Sequence, residues 1–140
     1  MSTLINYGFE GETMSKIPTD LRFAMSHEWT RSEADGTVTV GLTDHVQRDL
    51  GDIRFVDSIG IGRVLAKGDI AGLVESVRAA LDVHAPIGGE LIAVNGVLDD
   101  RPESINMDPY GAWIFKLKPS NTAELDELLD AAGYRAAVYG

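Results

Sequence analysis

Short stretches of period two, each closed by a glycine turn, leave this chain few folds to adopt. Period two sends successive side chains to opposite faces of a strand. Residues 37–42, Thr-Val-Thr-Val-Gly-Leu, follow Asp35-Gly36, a pair that suits the positive φ of a tight hairpin. They are predicted to pair antiparallel with residues 22–30. Further strands are predicted over 53–59, 70–76, 81–85, 90–95 and 113–118, with Trp113, Phe115 and Leu117 facing inward and Pro119 ending the last. A short helix is expected over 45–50, capped by Thr43 or Asp44 and stopped by Gly51. One helical turn is expected over 101–106. A C-terminal amphipathic helix should start at Ser120 or Asn121, bury Leu125, Leu128, Leu129 and Ala132, and stop at Gly133. The pattern is that of a mainly β fold with α additions, a small barrel or sandwich. Residues 68–74 and 89–94 both run turn, acid, apolar strand, a loose internal repeat.

A chain of 140 residues, 44% hydrophobic and 24% charged, fits one domain with its own core. It has no cysteine, which excludes disulfides, thiol catalysis and cysteine-bound metals. Twelve basic residues against 22 acidic give a net charge of −10. Nucleic acids and anionic membranes need a basic footprint, so neither is an expected partner; basic proteins are. The first twenty residues hold one base, Lys16, and three acids, Glu10, Glu12 and Asp20. That is neither a secretory signal nor a transit peptide. A cytoplasmic monomer is expected, with residues 1–20 a poorly ordered extension and 21–140 the folded domain.

Sites of chemistry are few. The histidines, His27, His45 and His84, lack metal-ligand spacing, and no Gly-x-Ser-x-Gly elbow or phosphate-binding glycine loop occurs. They are assigned structural or surface roles, and neither an enzyme nor a metal site is expected. The informative segment is Val74-Glu75-Ser76-Val77-Arg78-Ala79-Ala80-Leu81-Asp82, a hairpin whose tip, residues 77–80, carries one long cation. A two-stranded turn of this kind lifts a side chain clear of the body, within reach of other proteins. An ordinary surface turn with an incidental arginine has the same local pattern.

The order of the motifs is more specific. Ser26-His27-Glu28-Trp29, residues 35–45, Leu50-Gly51-Asp52-Ile53, Glu75-Ser76-Val77, Ala85-Pro86, Ala93-Val94-Asn95 and Asp108-Pro109-Tyr110-Gly111 together resemble the glycine cleavage system H-protein family across about residues 21–135. The resemblance implies a lipoyl-domain-like barrel-sandwich hybrid and a non-catalytic protein. It also implies lipoate held in amide linkage on one hairpin lysine, and as partners the glycine cleavage P, T and L proteins and a lipoate-attaching enzyme. The family's lipoylated lysine aligns with Arg78, and Glu75 matches the acid three residues before it.

A guanidinium is delocalised and stays protonated, so it is a poor nucleophile toward an activated acyl group. Lys16, Lys67, Lys116 and Lys118, the only lysines, lie outside the Glu-Ser-Val context. The chain is therefore expected to carry no cofactor and to act as a non-lipoylated partner-binding or regulatory homologue through Glu75, Ser76, Val77, Arg78, Ala79 and Asp82. An H protein with its carrier lysine exchanged for arginine is the alternative; an enzyme or small-molecule binder on the same fold is another. Leu81, beside the tip, is expected to expose apolar area or meet a partner. His84 replaces a common aromatic.

Overall fold

The computed structural model describes residues 14–140. The part of the expected extension that falls on residues 1–13 lies outside them. Two antiparallel sheets face one another. The larger has the order β1 (Arg22–Phe23), β2 (Glu28–Ser32), β3 (Val38–Leu42), β9 (Phe115–Pro119), β8 (Gly89–Val94) and β5 (Val64–Leu65). The smaller is β4 (Ile53–Ser58), β6 (Ile70–Ser76) and β7 (Ala80–His84). Helices α1 (Asp44–Leu50), α2 (Val97–Asp100), α3 (Ser104–Met107) and α4 (Ala131–Tyr139) and a 3-10 turn (Thr122–Glu127) complete the fold. This is the mainly β architecture with helical additions that the sequence pattern implies. Among the described residues no helix is long and apolar enough to cross a membrane.

Alternation fixes which side chains meet. Val38 and Val40 stand opposite Leu117 and Phe115 in the β3–β9 register, and all four are buried. Val56, Val74 and Val83 close the same core from the smaller sheet. Leu81, opposite Val74, is partly buried and packs against this core. Burying such side chains stabilises the fold by roughly 1.5–3 kcal/mol each before entropy is counted.

A second cluster covers the outer side of the larger sheet: Ile17, Leu21, Phe23, Trp29 and Tyr134. Trp29 is opposite Gly41 across β2–β3, and its indole N–H donates to the Pro109 carbonyl at 3.0 Å. Gly41 is the floor on which the indole lies: a Cβ there would be 2.5 Å from the ring.

The C-terminal region departs from the expected single helix. Leu128 is buried in the barrel core, and Leu129 exchanges both backbone hydrogen bonds with Phe23 at 2.8 Å, which holds the chain extended. Asp130 then caps a new helix by accepting from the Gly133 N–H at 2.8 Å, so α4 runs through the glycine expected to stop it. Trp113 lies before β9 and is only partly buried, with the Lys116 ammonium 5.1 Å from its ring centre.

Gly41→Ala should cost about 1–3 kcal/mol, because the methyl group and the indole compete for one volume. Urea unfolding followed by tryptophan fluorescence checks it; an unchanged midpoint would contradict the packing.

Candidate functional site

The β6–β7 hairpin brings the sequence-selected residues to one end of the smaller sheet. Ser76 shapes its turn. The Ser76 N–H donates to the Ala79 carbonyl at 2.8 Å, and the Ser76 hydroxyl oxygen accepts from the N–H groups of Arg78 and Ala79, both at 3.1 Å. This local hydroxyl cap suits serine at a tight turn. The Val77 N–H donates outward to the Asp52 carbonyl at 3.0 Å, tying the apex to the segment that leads into β4.

Helix α1 supplies the other wall. The Thr43 hydroxyl accepts from the Val46 N–H at its N-terminus, and Gly51 ends it with φ +74° and an N–H bond to the Gln47 carbonyl. The next carbonyls, Arg48 and Asp49, would lack helical partners. Arg78 takes both: its Nη1 donates to Asp49 O at 3.0 Å and to Arg48 O at 3.4 Å. A Cβ on Gly51 would be 3.3 Å from Arg78 Nε and from Val77 Cγ2, so Gly51 serves both the left-handed turn and the approach of the hairpin. Asn106 of α3 locks the same corner. It accepts from the Ile53 N–H at 2.9 Å and donates to Gln47 Oε1 at 2.8 Å and Gly51 O at 2.9 Å.

Ser76, Val77, Arg78 and Ala79 are thus gathered at the α1 terminus. Glu75 and Asp82 are exposed on the adjoining strands and form no ion pair with Arg78. Sequence reasoning missed the α1 carbonyls as partners for Arg78; the Gly51 stop after a short helix was the available signal. It also missed a buried carboxyl. Glu28 is wholly buried, takes the Ser26 hydroxyl on Oε1, and accepts the His84 N–H on Oε2 at 2.8 Å. Burial pushes the Glu28 carboxyl up, and the Ser26 and His84 hydrogen bonds offset part of that. His84 Nδ1 lies 3.7 Å from the same oxygen. His27, at φ 80°, contacts the Tyr134 hydroxyl through Nδ1 at 2.7 Å. Burial, then the nearby His45, lowers its pKa, while burial pushes the Tyr134 phenol up to about 12. These histidines are built into packing. Among the described residues no group of three or more His, Cys, Asp or Glu could hold a metal ion.

The sequence pattern of the Glycine cleavage H-protein family matches residues 21–139. Glycine cleavage system H protein 2 of Pseudomonas putida is 64% identical over 125 residues, covering 89% of this chain and 98% of the relative. Glycine cleavage system H protein of Thiobacillus denitrificans is 56% identical over 122 residues, covering 87% and 95%. A crystal structure of a glycine cleavage system H protein from Mycobacterium marinum superposes with a TM-score of 0.80 at 35% identity, covering 89% of this chain and all of that one.

These matches correct the expectation that this chain has no cofactor. Glycine cleavage H proteins are lipoate carriers, not catalysts, so lipoate is the prosthetic group the comparisons bring. The earlier expectation extended the chemistry of one side chain to the whole protein. The hairpin frame suits a carrier arm, but Arg78 does not fit an amide link: its guanidinium is a poor acyl acceptor and is directed to the α1 carbonyls.

Because Glu28 is more easily protonated in the fold than in the open chain, its contribution to stability is largest below its ordinary pKa of 4.5. That contribution is lost as pH rises through the raised folded value. The stability of the native chain relative to Glu28→Gln should therefore fall from pH 4.5 upward. Urea midpoints of both proteins across that range measure it; a difference constant with pH would refute the assignment.

Proposed function

Because the chain belongs to the glycine cleavage H-protein family, we propose that it works as a docking body of that system whose apex residue binds rather than accepts an acyl group. H proteins are not enzymes, and they interact with the glycine cleavage P, T and L proteins. The observation that carries the reading is Arg78 at the hairpin tip, held on the Arg48 and Asp49 carbonyls inside an otherwise retained Glu75-Ser76-Val77 frame.

A lysine at this place would project a primary amine. A guanidinium keeps the charge and the reach but lacks the nucleophilicity that amide formation needs. The protein then meets the P, T and L proteins, and a lipoate-attaching enzyme that surveys the hairpin, as a partner-binding or regulatory homologue. A second reading is an H protein whose carrier lysine was exchanged for arginine, and the intact frame favours it equally. In both readings residue 78 is the position at which carriage and docking separate.

Co-expression with a lipoate ligase, followed by intact-mass analysis and peptide mapping, tests the assignment. Arg78→Lys is expected to gain a lipoyl group at residue 78, and the native chain to show none at that position. A lipoyl group mapped to Arg78 would sink the proposal, as would an unmodified Arg78→Lys protein that folds normally.

A further inference from the structure

The smaller sheet has one face in the barrel core and, among the described residues, one face bare. The register shows what the bare face carries. Phe55, Glu75 and Ala80 form one row across β4, β6 and β7, and Asp57, Leu73 and Asp82 form the next. Apolar and acidic side chains therefore alternate along and across the strands. Phe55 is 47% exposed, Leu73 is partly exposed, and the three carboxylates are exposed. The residues between them in sequence, Val56 and Val74, point the other way and are buried. None of Asp57, Glu75 and Asp82 forms an ion pair among the described residues.

A solvent-facing sheet does not require an exposed phenylalanine, here on the edge strand β4, and carboxylates on neighbouring strands repel one another unless a cation meets them. A second copy of this chain is a poor occupant, because it would set carboxylates against carboxylates in a protein of net charge −10. Nucleic acid and anionic lipid are repelled for the same reason. The occupant that satisfies both rows is a protein surface with an apolar side chain flanked by lysine or arginine.

We propose that the bare face of β4–β6–β7 is a docking platform for such a basic, apolar-centred protein surface. It is continuous with the hairpin apex, so the partner that meets Arg78 also covers Phe55 and Leu73 and pairs its cations with Asp57, Glu75 and Asp82. This rests on the docking reading above and names the chemistry of the partner. It extends the recognition surface from the hairpin tip to β4, where Phe55 and Asp57 lie outside the tip motif.

The test is titration calorimetry of the full chain against purified glycine cleavage P, T and L proteins, at low and at high ionic strength. Phe55→Ala, Asp57→Lys and Arg78→Ala are compared with the native chain, after circular dichroism has shown that each is folded. Phe55→Ala and Asp57→Lys should each weaken binding at least about tenfold at low salt, as for the loss of a central contact or the reversal of a steering charge. Asp57→Lys should also flatten the salt dependence. If both stay within about twofold of native while Arg78→Ala weakens binding, the platform is refuted and docking at the apex stands. Loss in only one of the two variants refutes it as well, because the proposal needs the apolar and the charged contact together. A native chain that binds none of the three proteins overturns the docking reading and the platform with it.

Discussion

The C-terminal end of α1 is the joint on which the site depends. A seven-residue helix is too short to hold itself together in water, and its last carbonyls need partners. Gly51 takes the Gln47 carbonyl, Asn106 takes that of Gly51, and Arg78 takes those of Arg48 and Asp49. Each donor comes from a different part of the chain. The helix end, the entry to β4, α3 and the β6–β7 hairpin are thereby fixed relative to one another. The Val77 N–H bond to the Asp52 carbonyl ties the hairpin to the same corner through the backbone.

That joint also explains how a carrier frame and a non-carrier residue coexist. The turn is set by the Ser76 hydroxyl and by the Val77 bond to Asp52, and neither uses the side chain at position 78. Exchange of that one side chain leaves the backbone geometry in place. Cationic hydrogen bonds to a helix C-terminus on an exposed surface contribute only about 0.3–1 kcal/mol. Arg78 therefore has a preferred seat on the Arg48 and Asp49 carbonyls that contributes little to the fold. Lipoate belongs to the family and the guanidinium to this chain, and the two meet at residue 78.

Much of this was legible in the sequence because it rests on local rules. The alternation in 37–42, the Asp-Gly turn and the Thr43 and Gly51 boundaries of α1 are properties of neighbouring residues, and all appear as the pattern implies. The failures share one cause, competition from distant partners. The stripe Leu125, Leu128, Leu129 has helical spacing, yet Leu129 forms a bridge with Phe23, more than a hundred residues away, and the core takes Leu128 in an extended conformation. Leu81 lies beside the tip in sequence, yet its register with Val74 also packs part of it against the core. What Arg78 holds is not legible either, because a bond to a helix carbonyl leaves no mark on the sequence. Glu28 was visible only as part of a motif; nothing local indicates that a carboxyl lies fully buried between a serine hydroxyl and a distant N–H.

The chain's negative charge takes on meaning once the two sheets are told apart. On the outer side of the larger sheet, cations are spent within the molecule: Arg31 pairs with Glu33 and lies over the Trp29 ring, and Lys116 lies over Trp113. The second apolar cluster fills part of that side as well. On the outer side of the smaller sheet, the carboxylates of Asp57, Glu75 and Asp82 have no such partners among the described residues. Unpaired charge on a solvated face costs the isolated fold little, since water screens it, and it lengthens the range over which a basic surface is attracted. The asymmetry thus places long-range attraction on the side of the molecule that ends in the hairpin. An encounter guided by it would bring a basic partner to the sheet face, at whose edge the hairpin holds Arg78.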